Sequence, residues 1–289
     1  MRDLISVAIM VRDSGNILDE FLKRLNAQKA SMPYELVVLY YGERDETYKK
    51  LRAFTRNIER IHPDEFDIGK SRDLVCSLAH GNYIITTSID ALPASNHWLR
   101  EFVEPLKSGA ADVVQGDIAC PKKGDPNFPE FFYWERSFMF YFTSEGNHFI
   151  KKYGNIGFSC INLAFRKDVW KNGGFGGVSY CEDKMFQKRA ITANFTCTYS
   201  KKALVIHAHS YKTVSALVKR ISNEGMGWKQ VGENYGVGLL VKDLLRMDLH
   251  IYAIRAFFRH DLKYNSEIFF IILRPITLFW GNHFAKRVY

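Results

Sequence analysis

Asp90 stands near the end of the run Gly81-Asn82-Tyr83-Ile84-Ile85-Thr86-Thr87-Ser88-Ile89-Asp90-Ala91-Leu92-Pro93. Tyr83 to Thr87 are uninterrupted β-formers, which suits an interior strand of a sheet covered on both faces, with Pro93 stopping the chain just afterwards. Ligands in open α/β sheets bind beyond the carboxyl ends of such strands, so a lone carboxylate there is placed for chemistry. The same residue type also forms turns and caps helices. A second acidic group, Glu182-Asp183, opens a helix after the run Gly173-Gly174-Phe175-Gly176-Gly177, whose flexibility lets backbone approach a ligand. Acidic residues also gather at helix starts as caps and dipole partners. The glycine run is not followed by Lys-Ser/Thr and lacks a G-x-G-x-x-G context, which excludes a nucleotide P-loop.

Alternating elements position these groups. Ile5 to Met10 reads as a strand, and Ile17, Leu18, Phe21, Leu22 and Leu25 recur at helical spacing after the Ser14-Gly15-Asn16 break. A second strand spans Glu35 to Tyr41, a helix Glu46 to Ile58 and a short strand Arg60 to His62. Ser71 to Ala79 is then expected as a helix capped by Ser71, and it delivers the chain into the Asp90 strand. A helix over Asn96 to Leu106, strands over Ala111 to Ile118 and Ile161 to Arg166, a helix to Ile191 and a strand over Ala203 to His209 follow. This order predicts an α/β domain with crossover helices. Between Pro121 and Gly157 the periodicity gives way to aromatics, Phe128 to Phe149, that read either as core packing or as a wall for a sugar ring.

The 289 residues suit one large domain, or a domain plus a smaller appendage. Five cysteines, odd in number and without a C-x-x-C pair, argue against a disulfide framework or zinc site. The N-terminus enters a strand without the features of a signal peptide, so a cytoplasmic location is expected. A net charge of +9 favours an anionic partner.

Phe66-Asp67-Ile68-Gly69-Lys70-Ser71-Arg72-Asp73 resembles an F-x-H-x-x-T-R-N segment. In order there follow Thr87 to Pro93 as Thr-x-x-Asp-Ala-x-Pro, Phe165 to Trp170, Glu182-Asp183 with Arg189, and His207-Ala208-His209-Ser210-Tyr211. Together these resemble the family 2 inverting glycosyltransferases of the GT-A fold, in particular the bacterial rhamnosyltransferase-like group, over Ile5 to Tyr211. Two departures stand out. Tyr40-Tyr41-Gly42-Glu43 occupies the place after the second strand where many relatives carry acidic residues at the nucleotide base, and Ser88 replaces the first Asp of the usual D-x-D.

The resemblance implies a GT-A domain over residues 1–212, a nucleotide-diphosphate sugar donor and a glycan or lipid-linked acceptor. It implies Asp183 as the base that takes the acceptor proton, with Glu182 orienting it. Asp90 would hold Mg²⁺ or Mn²⁺, for which one carboxylate suffices because such ions keep waters and phosphate oxygens. His209, on the same strand face as His207, is the candidate additional metal or diphosphate contact. Ser88, Tyr41, Arg72, Lys70 and Arg189 complete the donor side, the two cations Arg72 and Lys70 meeting phosphate charge.

Residues 213–289 read as helices over Thr213 to Gly225, Gly238 to Phe258 and Ser266 to Phe279. From Lys219 onward they carry eleven Lys or Arg against six Asp or Glu. Arg274-Pro275 interrupts the last apolar stretch, so no membrane span is expected. A basic helical tail with Phe and Trp fits peripheral attachment at the inner face of the cell membrane, or packing on the domain or on a second copy of the chain. Nucleic-acid binding is not expected, because no helix-turn-helix, zinc-finger or RNP signature is present. A non-catalytic sugar-nucleotide or glycan binder is the rival that keeps the fold.

Overall fold

A computed structural model describes residues 3–43, 45–122, 124–128, 157–207, 213–259 and 269–285. Its centre is a mixed sheet of eight strands: β1 (Ile5–Val11), β2 (Tyr34–Tyr40), β3 (Ile58–Arg60), β4 (Tyr83–Thr87), β5 (Ala91–Pro93), β6 (Val113–Ala119), β7 (Asn162–Arg166) and β8 (Cys197–His207). They lie in the order β3-β2-β1-β4-β7-β6-β8-β5. The first half, β3 to β4, is parallel, β7 runs antiparallel to both of its neighbours, and β6 and β8 pair in parallel. The sheet order jumps from β4 to β7, and Asp90 follows β4 there, the kind of place where open α/β sheets leave a ligand crevice.

Both faces are covered, which is why β1 and β4 read as apolar runs rather than alternations. On one face α1 (Asn16–Asn26) buries Leu18, Phe21 and Leu25, and α4 (Trp98–Lys107) buries Trp98, Leu99, Phe102, Val103 and Leu106. On the other, α3 (Ile68–Ser77) and α6 (Glu182–Thr192) contribute Val75, Cys76, Phe186 and Ala190. The short helices α2 (Asp45–Phe54) and α5 (Lys167–Lys171) complete the domain. The buried Asn162 is fully paired: it accepts from Trp98 Nε1 at 2.9 Å and donates to the carbonyls of Asp117 and Ala203, each at 2.7 Å.

Several boundaries differ from the sequence reading for identifiable reasons. Helix α2 stops at Phe54 because Thr55 Oγ1 donates to Leu36 O at 2.7 Å and accepts from Asn57 N, pulling the chain into β3. Helix α3 begins at Ile68, not at Ser71. Its cap is Asp67, which accepts from Lys70 N at 3.1 Å, while buried Ser71 accepts from Asp67 N at 3.2 Å. Strand β4 ends at Thr87, so Asp90 sits in the following turn, and Pro93 ends the short strand β5 rather than stopping the chain.

The C-terminal helices are α7 (Val214–Gln230), α8 (Val237–Leu244), α9 (Met247–Phe258) and α10 (Phe270–His283). The stretch read as one helix from Gly238 to Phe258 is two, broken where Arg246 turns its guanidinium onto Asp248 at 2.5 Å. Arg274 and Pro275 do not interrupt α10. Both are buried within it, and Arg274 pairs with Glu224 of α7 at 3.0 Å. Helices α7 and α10 cross at glycine, since a Cβ on Gly225 would run into Leu278 O and one on Gly281 into Ser222 O.

Candidate active site

The turn after β4 gathers the first set of groups. Ser88 Oγ donates to Asp90 Oδ1. Antiparallel pairing of β5 with β8 sets Ala91 opposite His207, which brings the buried His207 ring beneath the turn. His207 Nδ1 lies 3.1 Å from Asp90 O and 3.5 Å from Asp90 Oδ1. The Asp90 side chain remains 35% exposed, enough to offer an oxygen to a ligand. Tyr41, just past β2, stacks on Phe66 with ring centroids 3.9 Å apart. Burial pushes its phenol above the ordinary tyrosine value, with Arg12 and Arg72 pulling it down and Asp90 pushing it up, so these charges surround one ring. Asp13, on the loop after β1, accepts from Tyr40 OH at 3.2 Å and from Glu43 N at 3.1 Å, tying that loop to the end of β2.

Helix α3 organises the second set. Arg72 donates from Nε and Nη2 to Glu182 Oε1 at 3.0 and 2.9 Å, with both side chains buried. Its neighbour Asp73 accepts from Trp170 Nε1 at 2.8 Å, Phe175 N at 2.8 Å and Gly176 N at 2.6 Å. Arg189, on α6, holds the opposite edge of the same loop, donating to the carbonyls of Gly173, Gly174 and Gly176 at 2.5, 2.9 and 3.0 Å. Gly174 has φ +58°, and a Cβ there would run into the Asp73 carboxylate, so the loop requires glycine at this position.

The loop feeds into Cys181, a non-glycine residue at φ 59° that precedes α6. Such a conformation costs on the order of 1–3 kcal/mol and persists only where its surroundings fix it. Helix α7 supplies those surroundings: Asn223 Nδ2 donates to Tyr180 OH at 3.0 Å, and a Cβ on Gly227 would run into Tyr180 and Cys181. The turn delivers Glu182 inward to Arg72 and leaves Asp183 with its side chain 18% exposed. Lys184 is buried, donates to Phe158 O and lies 3.9 Å from Asp183 Oδ2. Burial pushes Glu182 above the usual carboxylate range, opposed by the Arg72 charge and assisted by Asp183.

Ser88, Asp90, Tyr41 and Arg72 thus share one neighbourhood, and Arg72 links it to Glu182 and Asp183. Lys70 is exposed in the first turn of α3. Arg189 holds backbone, so its place is in positioning the glycine loop. His209 and the aromatics from Phe131 to Phe149 lie outside the described residues, whereas Phe128 is buried in the core. Among the described residues no group of three or more His, Cys, Asp or Glu forms a ready-made metal cage. A cation at Asp90 would therefore take one carboxylate and complete its shell from ligand and water, as Mg²⁺ commonly does. The role of Asp73 was not apparent in the sequence. Its only trace there is its place beside Arg72, because the groups that it binds, the Trp170 indole and two backbone amides, lie about a hundred residues away.

A mixed sheet of this order, with a partly exposed carboxylate in the turn after β4 and an acidic helix start paired to α3, defines the GT-A glycosyltransferase fold. Glycosyl transferase family 2 matches residues 6–173, more than half of the chain, and the protein belongs to that family. The O-antigen chain rhamnosyltransferase WbaN of Salmonella anatum is 23% identical over 192 residues, covering 64% of this chain and 59% of its own length. The chain thus spans about three fifths of that relative. Two solved structures share the fold. The mannosyltransferase PcManGT of Pyrobaculum calidifontis, in complex with GDP-Man and Mn²⁺, is 15% identical with a TM-score of 0.54, covering 96% of this chain and 71% of its own. Glucosyl-3-phosphoglycerate synthase of Mycobacterium tuberculosis, in complex with Mn²⁺, UDP and phosphoglyceric acid, is 12% identical with a TM-score of 0.56, covering 80% and 79%.

Proposed function

We propose that this family 2 glycosyltransferase works with inversion. In this reading it moves a sugar, with rhamnose the first choice, from a nucleotide diphosphate to a glycan or lipid-linked acceptor in surface polysaccharide synthesis, at the inner face of the cell membrane. The observation that carries the reading is Asp90: a partly exposed carboxylate in the turn beyond β4, braced by Ser88 and His207. The likeness to a rhamnosyltransferase supports the choice of sugar.

In this reading the nucleotide lies over the ends of β1, β2 and β4, beside Tyr41 and Phe66. Mg²⁺ or Mn²⁺, when bound at Asp90, supplies positive charge to the departing diphosphate. Lys70, exposed at the start of α3, adds a second positive charge from the protein side. The acceptor oxygen forms a bond to the anomeric carbon as the bond from that carbon to the diphosphate oxygen breaks, and Asp183 takes the acceptor proton. Glu182, held by Arg72, fixes the start of α6 and hence the direction of Asp183. A positioned base contributes about 10² to 10⁴ in rate.

Calorimetric titration of a panel of nucleotide-diphosphate sugars, with and without Mn²⁺, tests the reading. Asp90→Asn removes charge at nearly constant volume and is expected to abolish Mn²⁺-dependent binding while the fold persists. Unchanged Mn²⁺-dependent affinity in that variant would contradict it. Ser88 at the first position of the D-x-D favours a second reading, a non-catalytic sugar-nucleotide binder. Turnover of any nucleotide sugar by the wild-type protein decides against that.

A further inference from the structure

Among the described residues, every exposed large hydrophobic side chain except Tyr199 lies between Val214 and Phe284. They are not scattered. On α9 Met247, Ile251, Ile254 and Phe258 follow the spacing of one helix face, while Leu249, Ala253 and Ala256 face inward. On α10 Ile272, Ile276 and Trp280 recur every fourth residue, opposite the buried Ile271, Thr277 and Leu278. On α8 Val237 and Val241 do the same. Helices α9 and α10 therefore have two apolar faces, one buried and the other turned to solvent, while α8 packs half-buried Leu239 and Leu240 against the C-terminal core and turns Val237 and Val241 outward. Phe258 is 75% exposed and Trp280 59% exposed, far beyond what an isolated surface hydrophobe needs to be unremarked.

We propose that these outward faces of α8, α9 and α10 form a docking surface for an anionic lipid bilayer. Charge is what selects this occupant. Lys242, Arg255 and Arg259 are exposed, and each directly follows an exposed apolar residue: Val241, Ile254 and Phe258. Successive helix positions are about 100° apart, so the cations flank the apolar stripes. Among the described residues of these helices the exposed acid, Asp248, is paired with Arg246. An apolar stripe bordered by cations complements anionic headgroups with acyl chains beneath. A second copy of the chain complements it badly, because a two-fold interface would press this cationic patch against an identical one. No described helix is long and apolar enough to cross a membrane, so the helices would lie in the interface plane. The inference deepens the membrane location in the proposed function and rests on that reading, but docking needs neither donor nor turnover, so vesicle binding and glycosyl transfer can fail separately.

Sedimentation of the full-length protein with vesicles tests it, comparing phosphatidylcholine mixed with phosphatidylglycerol against pure phosphatidylcholine. Wild type is expected to bind the mixed vesicles and to be released by salt. Phe258→Glu/Trp280→Glu is expected to abolish binding. Lys242→Glu/Arg255→Glu/Arg259→Glu is expected to weaken it about tenfold or more, from the usual contribution of each basic residue at an anionic surface. The charge variant touches no buried group, so it decides the question even if the apolar variant misfolds. Wild type that ignores anionic vesicles at low salt, or a folded charge variant that binds as wild type does, would overturn the proposal. So would a wild-type dimer that the apolar variant dissociates without any change in vesicle binding.

Discussion

Arg72 and Glu182 stand 110 residues apart in the chain and meet in a buried ion pair, two guanidinium nitrogens converging on one carboxylate oxygen at 2.9 and 3.0 Å. The pair joins the helix that lies beside Asp90 and Tyr41 to the helix start that carries Asp183. Its geometry is therefore a determinant of the site, and it can be tested without a known substrate.

Replacing Arg72 by Met leaves the Glu182 carboxyl buried without its counter-charge. Breaking a buried pair from one side costs about 3–5 kcal/mol, and a loss of that order is expected in denaturant unfolding. The pH dependence has a definite sign. Burial already pushes Glu182 above the ordinary carboxylate value, and removing Arg72 pushes it further. The folded variant then holds a proton that the unfolded chain releases, so its stability falls as pH rises through the window above the ordinary Glu value. The melting temperature of Arg72→Met should thus lie closest to wild type in acid and diverge toward neutral pH. A constant difference across that range would remove the assignment of Glu182 as a raised, buried acid.

Asp73→Asn tests the clamp on the glycine loop. An amide has one acceptor oxygen where the carboxylate uses two, and it turns an NH₂ group toward amide donors. The expected loss is about 2–4 kcal/mol in stability, with a fall in turnover larger than any change in donor affinity, because the loop leads to Glu182 and Asp183. Equal stability and turnover in this variant would show that the loop holds itself.

Much of this arrangement was legible in the chain. The apolar runs of β1, β2 and β4 and the spacing of Leu18, Phe21 and Leu25 fixed the sheet and its first covering helix, because covered strands and amphipathic helices have distinct periods. The place of Asp90 just beyond a strand was legible too. Contacts between distant segments were not legible. Arg72 reads as a phosphate-binding cation and Arg189 as a donor contact, yet one neutralises Glu182 and the other binds three loop carbonyls. The partner of a long cationic side chain depends on tertiary placement, which local pattern does not encode. The cap of α3 was misplaced because Asp67 and Ser71 are both good capping residues, and only the backbone geometry chooses between them.

Gly281→Ala tests the crossing of α10 with α7, the helix that packs on Tyr180 and Cys181. The new methyl would press on Ser222 O where α10 crosses α7, and over-packing of this kind costs about 1–3 kcal/mol. A lower melting temperature is expected. An unchanged one would mean that the crossing can widen freely.

In the proposed mechanism Asp183 takes the acceptor proton, and a single substitution separates that role from a structural one. The N-cap of α6 is Cys181, not Asp183, so Asp183→Asn keeps the helix start at nearly constant volume while removing the base. Steady-state turnover measured with the nucleotide sugar that the wild type uses should fall about 10² or more, with donor affinity and melting temperature unchanged, since the lost interaction belongs to the transition state. A folded Asp183→Asn protein with near-normal turnover would show that Asp183 is not the base.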